Sequence, residues 1–123
     1  MRDKYPIIFE VPATPSLNIL HSNKWQMVNW KKKFLKIMKN FHLVYNLKEK
    51  VKMKITYQRF GVKELDQENY FGSTKPLTDA IKECKMIVDD NQKWLKIIHL
   101  PQVIIHKLCE QKTVVKVEKA KGK

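Results

Sequence analysis

Asp66-Gln67-Glu68-Asn69, then Lys75-Pro76-Leu77-Thr78-Asp79-Ala80, then Asp89-Asp90, gather carboxylates in a chain that is otherwise basic, with 25 Lys and Arg against 12 Asp and Glu. Asp66 and Glu68 are two residues apart, so in extended backbone both point to the same side and face one point in space. Hard oxygen ligands of this kind suit Mg²⁺ or Mn²⁺. Such a cation can activate water for phosphodiester hydrolysis and neutralise charge building on the phosphate. A second, about 3.5–4 Å away, can stabilise the leaving oxygen. Lys75, at the start of a helical pattern, could add a fixed positive charge at a phosphate oxygen. The plainer reading is that acid pairs of this spacing are common in exposed turns, and that Asp79, four residues after Lys75, simply pairs with it on the surface. Spacing alone leaves both open.

Other chemistry has less support. His21, His42, His99 and His106 share no ligand spacing, and three glycines are too few for a Gly-rich phosphate loop. No nucleophilic triad can be read from the residue order. Cys84 and Cys109 are far apart and lack a CxxC spacing, so they are expected to be reduced and buried, with neither disulfide nor zinc. The net charge of +13 predicts attraction to polyanions, nucleic acid before anionic membrane. Nearly all of it is lysine (23 Lys, two Arg) in a chain rich in Ile and Asn, a mix that an AT-rich genome also produces. No stretch approaches the roughly 20 apolar residues of a spanning helix, and no signal peptide is evident. The expectation is a soluble, cytoplasmic protein with no organic cofactor.

The elements that must position these residues follow from periodicity. Tyr5–Val11 reads as a strand ended by Pro12 and Pro15, and the segment to His21 as a loop. Ser22 or Asn23 is placed as the cap of a helix to about Asn40. Its apolar stripe is Met27, Trp30, Phe34, Ile37, Met38 and Phe41, and Lys24, Lys31, Lys32, Lys33, Lys36 and Lys39 lie opposite. Trp25, beside those lysines, could stack on a base or merely pack at the helix start. Lys50–Phe60 alternates as a half-buried strand with Val51, Met53, Ile55 and Tyr57 inward, and a polar connection runs from Gly61 to Asn69. A second helix is predicted over Ser73–Lys85, with Thr74, Leu77, Thr78, Ile81 and Cys84 inside and Pro76 in its first turn; the alternative is a helix begun back at Asn69, which Pro76 would kink. Asp89-Asp90-Asn91 is a turn and Trp94–His99 a strand. Val103–Leu108 and Thr113–Glu118 read as a closing hairpin. The expected fold is α+β: one domain over residues 1–118, a mixed sheet of about four strands with two main helices packed on it, and a basic, frayed tail over 119–123.

On these residues the chain resembles the RusA-type Holliday-junction resolvases. Asp66-x-Glu68-Asn69, Lys75-Pro76-Leu77-x-Asp79-Ala80-Ile81 and Ile87-Val88-Asp89-Asp90 are similar to that family's Asp-x-Asp-Asn, Lys-Pro-Leu-x-Asp-Ala-Leu and closing apolar-apolar-Asp-Asp. Pro15-Ser16-Leu17-Asn18 and Trp25 resemble its Pro-x-Leu-Asn loop and basic first helix. The resemblance implies a small homodimeric endonuclease, bacterial or phage-encoded, that binds four-way DNA junctions and cuts them with Mg²⁺ or Mn²⁺. It implies Asp66, Glu68, Asp89 and Asp90 as metal-binding acids and Lys75 as the essential lysine. The lysine face of the first long helix reads either as a solvated face or as a phosphate-facing one, and on the second reading Lys24, Trp25, Lys31, Lys32 and Lys75 are the expected DNA-binding side chains. Two departures stand out. Glu68 replaces a usual Asp, lengthening the arm by one methylene, and Leu65 stands where an Arg often precedes the first acid. The rival readings are a catalytically weakened or silent DNA-binding protein on the same fold and a basic interaction protein without a nucleic-acid role.

Overall fold

A computed structural model describes residues 5–41, 43 and 50–120. The elements run β1 (Ile7–Val11), α1 (Leu17–Leu20), α2 (Gln26–Asn40), β2 (Met53–Gly61), α3 (Gln67–Ser73), α4 (Lys75–Glu83), β3 (Leu95–His99), β4 (Val103–Ile104), a short 3₁₀ turn (Leu108–Glu110) and β5 (Lys112–Lys119). The strands form one mixed five-stranded sheet, so the expected α+β architecture holds, with one strand more. Its order is β1-β5-β2-β3, and β4 continues beyond β3 along the same edge of β2.

β2 is the centre of the sheet because it is the longest alternating segment. Met53, Ile55 and Tyr57 are fully buried, and Lys54, Thr56 and Gln58 point the other way. It pairs antiparallel with β5, from Met53 opposite Lys119 to Phe60 opposite Lys112. On its other side it runs parallel to β3, with Met53 opposite Leu95 and Tyr57 opposite His99. The expected closing hairpin is not formed. β4 pairs parallel with β2, and β5 lies between β1 and β2. Pro101 ends β3 and cannot donate to the ladder, so the chain resumes two residues later against the same neighbour.

α2 and α4 cover one face of the sheet. Phe34 and Met38 of α2 meet Leu77, Ala80 and Ile81 of α4 over Ile55, Tyr57, Val115 and Val117. The predicted stripe of α2 is right at its centre, with Trp30 and Ile37 partly buried, but Phe41 is 67% exposed beyond the helix end. α2 begins at Gln26, because Asn23 spends its side chain in a local turn, accepting the Trp25 N–H at 2.9 Å. Every residue of the predicted inner stripe of α4 is buried. The helix ends in paired hydrogen bonds from Met86 to Ile81 and from Lys85 to Lys82, with Lys85 at φ 62 in the position glycine usually takes. Cys84 and Cys109 are both free; Cys84 is buried as expected, whereas Cys109 is exposed. His42 and the tail residues 121–123 lie outside the described residues, while Ala120 still bonds the Lys52 carbonyl at 2.9 Å.

Two short helices lie in segments expected mainly as loop and connection. Ser16 caps α1 by accepting from Ile19, within the segment read as a loop. Asp66 caps α3, within the segment read as a polar connection. Pro76, lacking an N–H, separates α3 from α4, and Lys75-Pro76 open the second helix as the favoured N1 and N2 positions. Thr74 between them keeps right-handed helical dihedrals (φ −89, ψ −3).

Candidate functional site

Asp66 is the most constrained of the candidate acids. Its Oδ1 accepts the Asn69 N–H at 2.9 Å and its Oδ2 accepts the Asn69 side-chain amide at 2.9 Å. The backbone bond and then the side-chain bond hold its carboxyl below the usual range, so it is ionised at neutral pH. Asn69 in turn accepts the Asn18 N–H at 3.2 Å, tying α1 to α3. Behind this contact a Cβ on Gly72 would lie 2.7 Å from Leu17 Cδ1, so any larger residue there would force the Leu17 side chain to shift. The two separated motifs Ser16-Leu17-Asn18 and Asp66-x-Glu68-Asn69 are therefore one structural unit.

Arg59 anchors the same unit from below, and sequence reading missed it. It is 8% exposed and donates from Nε to the Thr14 carbonyl at 2.9 Å and from Nη1 to the Lys63 carbonyl at 3.1 Å. Burial lowers its pKa. Thr14 meets Ser73 of α3 at 2.8 Å, and its N–H reaches Thr113 Oγ1 at 3.1 Å. One buried guanidinium thus fixes the loop that leads into α1 and the loop that leads into α3. A signal did exist: only two arginines stand in a chain with 23 lysines.

Glu68 does not share a side with Asp66. The segment is helical from Gln67, and two residues along a helix turn through about 200°. The extended reading of Asp-x-Glu is thus replaced by a capped first turn, in which Glu68 is exposed near the positive helix end. Lys75 is exposed at the first position of α4. No ion pair joins it to Asp79 among the described residues. Asp79 is half-buried, and burial raises its pKa against the pull of Lys31, Lys75 and Lys82.

Asp89 and Asp90 follow α4, where Lys82 binds both, at 3.0 Å and 4.0 Å. Asp89 Oδ1 also accepts the Asp90 N–H at 2.8 Å. The Lys82 bond, then the Asp90 N–H, keep the Asp89 carboxyl low. The next residue, Asn91, accepts the N–H groups of Trp94 and Leu95, which places this pair at the start of β3.

Topology separates the two acid groups. Asp66 follows β2 and Asp89-Asp90 precede β3, and a parallel crossover puts the end of one strand and the start of the next at opposite ends of the sheet. Leu65, beside Asp66, is bonded in both directions to Gln102 past the end of β3, at 3.0 Å and 2.7 Å. Asp90 lies at the Met53–Leu95 end. Seven residues of β2 separate the Met53 and Phe60 rows, about 23 Å at strand rise. A divalent cation needs several oxygens within about 2.6 Å. Among the described residues no three His, Cys, Asp or Glu side chains converge to hold one. Within a single chain, Asp66, Glu68, Asp89 and Asp90 do not fit a metal centre.

Of the candidate DNA-facing residues, Lys31 and Lys32 lie in α2, Lys24 and Trp25 just before it, and Lys75 at the start of α4. Lys24 and Lys32 are exposed, and Trp25 is 59% exposed with the Lys24 ammonium 5.2 Å from its ring centroid. Lys31 is engaged with Glu83 of α4. His21 and His106 are exposed. His99 is half-buried in an aromatic cluster with Tyr57, Tyr70 and Phe71. No helix among the described residues is long and apolar enough to cross a membrane. No protein-family model matches the sequence, and no curated protein matches it.

Proposed function

We propose that the chain is a structure-selective DNA endonuclease that cuts branched DNA, four-way junctions among them, with Mg²⁺ or Mn²⁺ and as a homodimer. The observation that supports it best is the joining of Asn18 to Asn69 and Asp66. The two motifs that carry the resemblance lie about fifty residues apart, yet they build one surface at the head of α3, with Lys75 exposed beyond it. Lys75 would meet a phosphate oxygen, and Asp66, held ionised by Asn69, would supply a carboxylate at the other end of α3.

Since the acids of one chain stand apart, the reading requires the second protomer: Asp66 and Glu68 of one copy work with Asp89 and Asp90 of the other. A two-fold dimer then carries two equivalent sites, as paired cuts demand. The excess lysine provides the sequence-independent hold on phosphates.

A second reading, a DNA-binding protein without nuclease activity, is favoured by Lys82. It occupies Asp89 and Asp90, and a cation at these acids must compete with it. One assay separates the two. Four-way junction and linear duplex are incubated with Mg²⁺, Mn²⁺ or EDTA, and both binding and cutting are read. Metal-dependent cutting of the junction alone supports the nuclease. Salt-sensitive binding with no cutting supports the silent protein. Binding that is flat between 50 and 200 mM salt overturns both, because counterion release would be absent.

A further inference from the structure

We infer that the outer face of Phe71 is a stacking platform for one unpaired nucleobase, set beside Lys75 on the exposed side of α3 and α4. The inference rests on the DNA reading above and names the feature of branched DNA that this surface takes.

Phe71 is 47% exposed, yet its ring is not free to move. Its inner face stacks on the His99 imidazole, with centroids 4.6 Å apart and planes inclined by 30°. His99 is itself fixed on three sides. The Tyr70 ring meets it edge-on at 5.0 Å, Tyr57 lies at 5.4 Å, and its Nε2 is 2.8 Å from Thr74 Oγ1. The Thr74 hydroxyl donates to the Phe71 carbonyl at 3.1 Å, so its oxygen accepts from His99 Nε2–H. The stack thus descends from surface to core as Phe71, His99 and Tyr57, and each ring is positioned before any ligand arrives. Burial lowers the His99 pKa to about 4, so the imidazole is neutral and the stack carries no charge of its own at neutral pH.

Position selects the ligand. Phe71 lies in the last turn of α3, Lys75 four residues on is the first residue of α4, and Glu68 lies one turn before Phe71. The ring therefore sits between a carboxylate and an ammonium. A single flat ring flanked by charges is too small for a protein-docking patch, but it matches one base, with its phosphate within reach of Lys75. A paired base inside a duplex has both faces covered. The platform takes a base with an open face, which a branch point or single strand offers. Stacking on a preformed ring has the added advantage of little ordering cost.

The test uses the full-length protein in EDTA, so that strands stay intact, and DNA carrying 2-aminopurine at the branch. The native protein is expected to quench the probe. Phe71→Leu keeps apolar bulk but removes the aromatic face. It is expected to lose the quench and to bind branched DNA about tenfold or more weakly. Its affinity for paired duplex and its salt slope are expected to match the native protein, and Phe71→Trp to restore quenching and affinity. The inference is overturned if Phe71→Leu binds branched DNA as the native protein does, or loses branched and paired DNA equally. A native protein that binds no DNA overturns both this inference and the function proposed above. Salt-dependent native binding with an indifferent Phe71→Leu overturns this inference alone.

Discussion

Two inactive proteins are expected to rescue each other. Asp66→Asn and Asp90→Asn each remove one acid from the two separated groups. Neither change threatens the fold, because asparagine is as good a helix cap as aspartate and Asp90 is exposed. The roughly 23 Å of β2 between the two ends of the sheet is far beyond the span of two carboxylates sharing one cation. If the acids act together they do so across a dimer, so a site consists of Asp66 from one protomer and Asp90 from its partner. In a mixed dimer one site then carries both substitutions and the other carries neither. Random exchange makes half of the dimers mixed, each with one intact site of two, so the mixture should nick junctions at about a quarter of the native rate. These dimers hold one working site, so nicked rather than resolved junctions should accumulate. The doubly substituted chain gives the converse. Mixed equally with native chains it should leave about a quarter of the native nicking rate, whereas a site built within one chain would leave about half. Strand-specific labelling on a denaturing gel measures both. A mixture no more active than its parents, or half-activity with the double variant, refutes the shared site.

Three further outcomes follow from the fold. His99 is held near a pKa of about 4 against an ordinary 6.5, so the unfolded chain takes up its proton first as the pH falls. Its stabilising contribution is complete above pH 6.5 and is lost towards pH 4. The full shift would be worth about 3 kcal/mol, which partial exposure reduces to about 1–2 kcal/mol. Urea midpoints between pH 4 and 7 should show this slope and His99→Gln should flatten it; an unchanged slope counts against the assignment. Thr78→Val should cost about 1–3 kcal/mol, because it leaves the buried Tyr57 hydroxyl without the 2.6 Å partner it has now; a near-neutral midpoint would mean that the hydroxyl finds another partner. Lys85→Gly should stabilise by about 0.5–1 kcal/mol, since Lys85 holds φ 62 at the end of α4; a lower melting temperature would contradict that reading.

Periodicity made the core legible. The alternation of β2 and the inner stripe of α4 mark residues that are all buried apart from half-buried Val51, because each side chain there answers mainly to the face it occupies. Short or bounded elements were not legible. α1 is a single turn that packs Leu17 against Gly72, fifty-five residues away. β4 is two residues whose partner is chosen by the end of β2, not by its own composition. At Asp66 two local preferences competed. An Asp followed three residues later by Asn can run extended or can cap a helix, and the cap gains both Asn69 bonds at once.

The same competition shows which residues of the acidic stretch carry functional weight. Fixed spacing over some 25 positions looks like a site, yet much of it has work to do in the fold. Asp66 caps α3, Asn69 ties it to Asn18, and Pro76 opens α4. Thr78 bonds Tyr57, Leu77, Ala80 and Ile81 fill the core, and Asp89 holds Lys82. Each of these would be demanded of a protein that never touched DNA. Glu68 and Lys75 are different. They are exposed, and neither makes a hydrogen bond or an ion pair among the described residues. The Asp90 carboxylate is exposed and held loosely, by the 4.0 Å approach of Lys82 and the neighbouring Asp89 side chain. Replacing these three should therefore leave stability nearly unchanged, within about 0.5 kcal/mol, so any loss of cutting can be read as chemistry. Asp66 cannot be read so simply: Asp66→Ala removes the cap as well as the carboxylate, and only Asp66→Asn separates the two. If Glu68→Gln, Lys75→Met and Asp90→Asn all leave junction cutting intact, the acidic stretch belongs to the fold and the nuclease proposal falls with it.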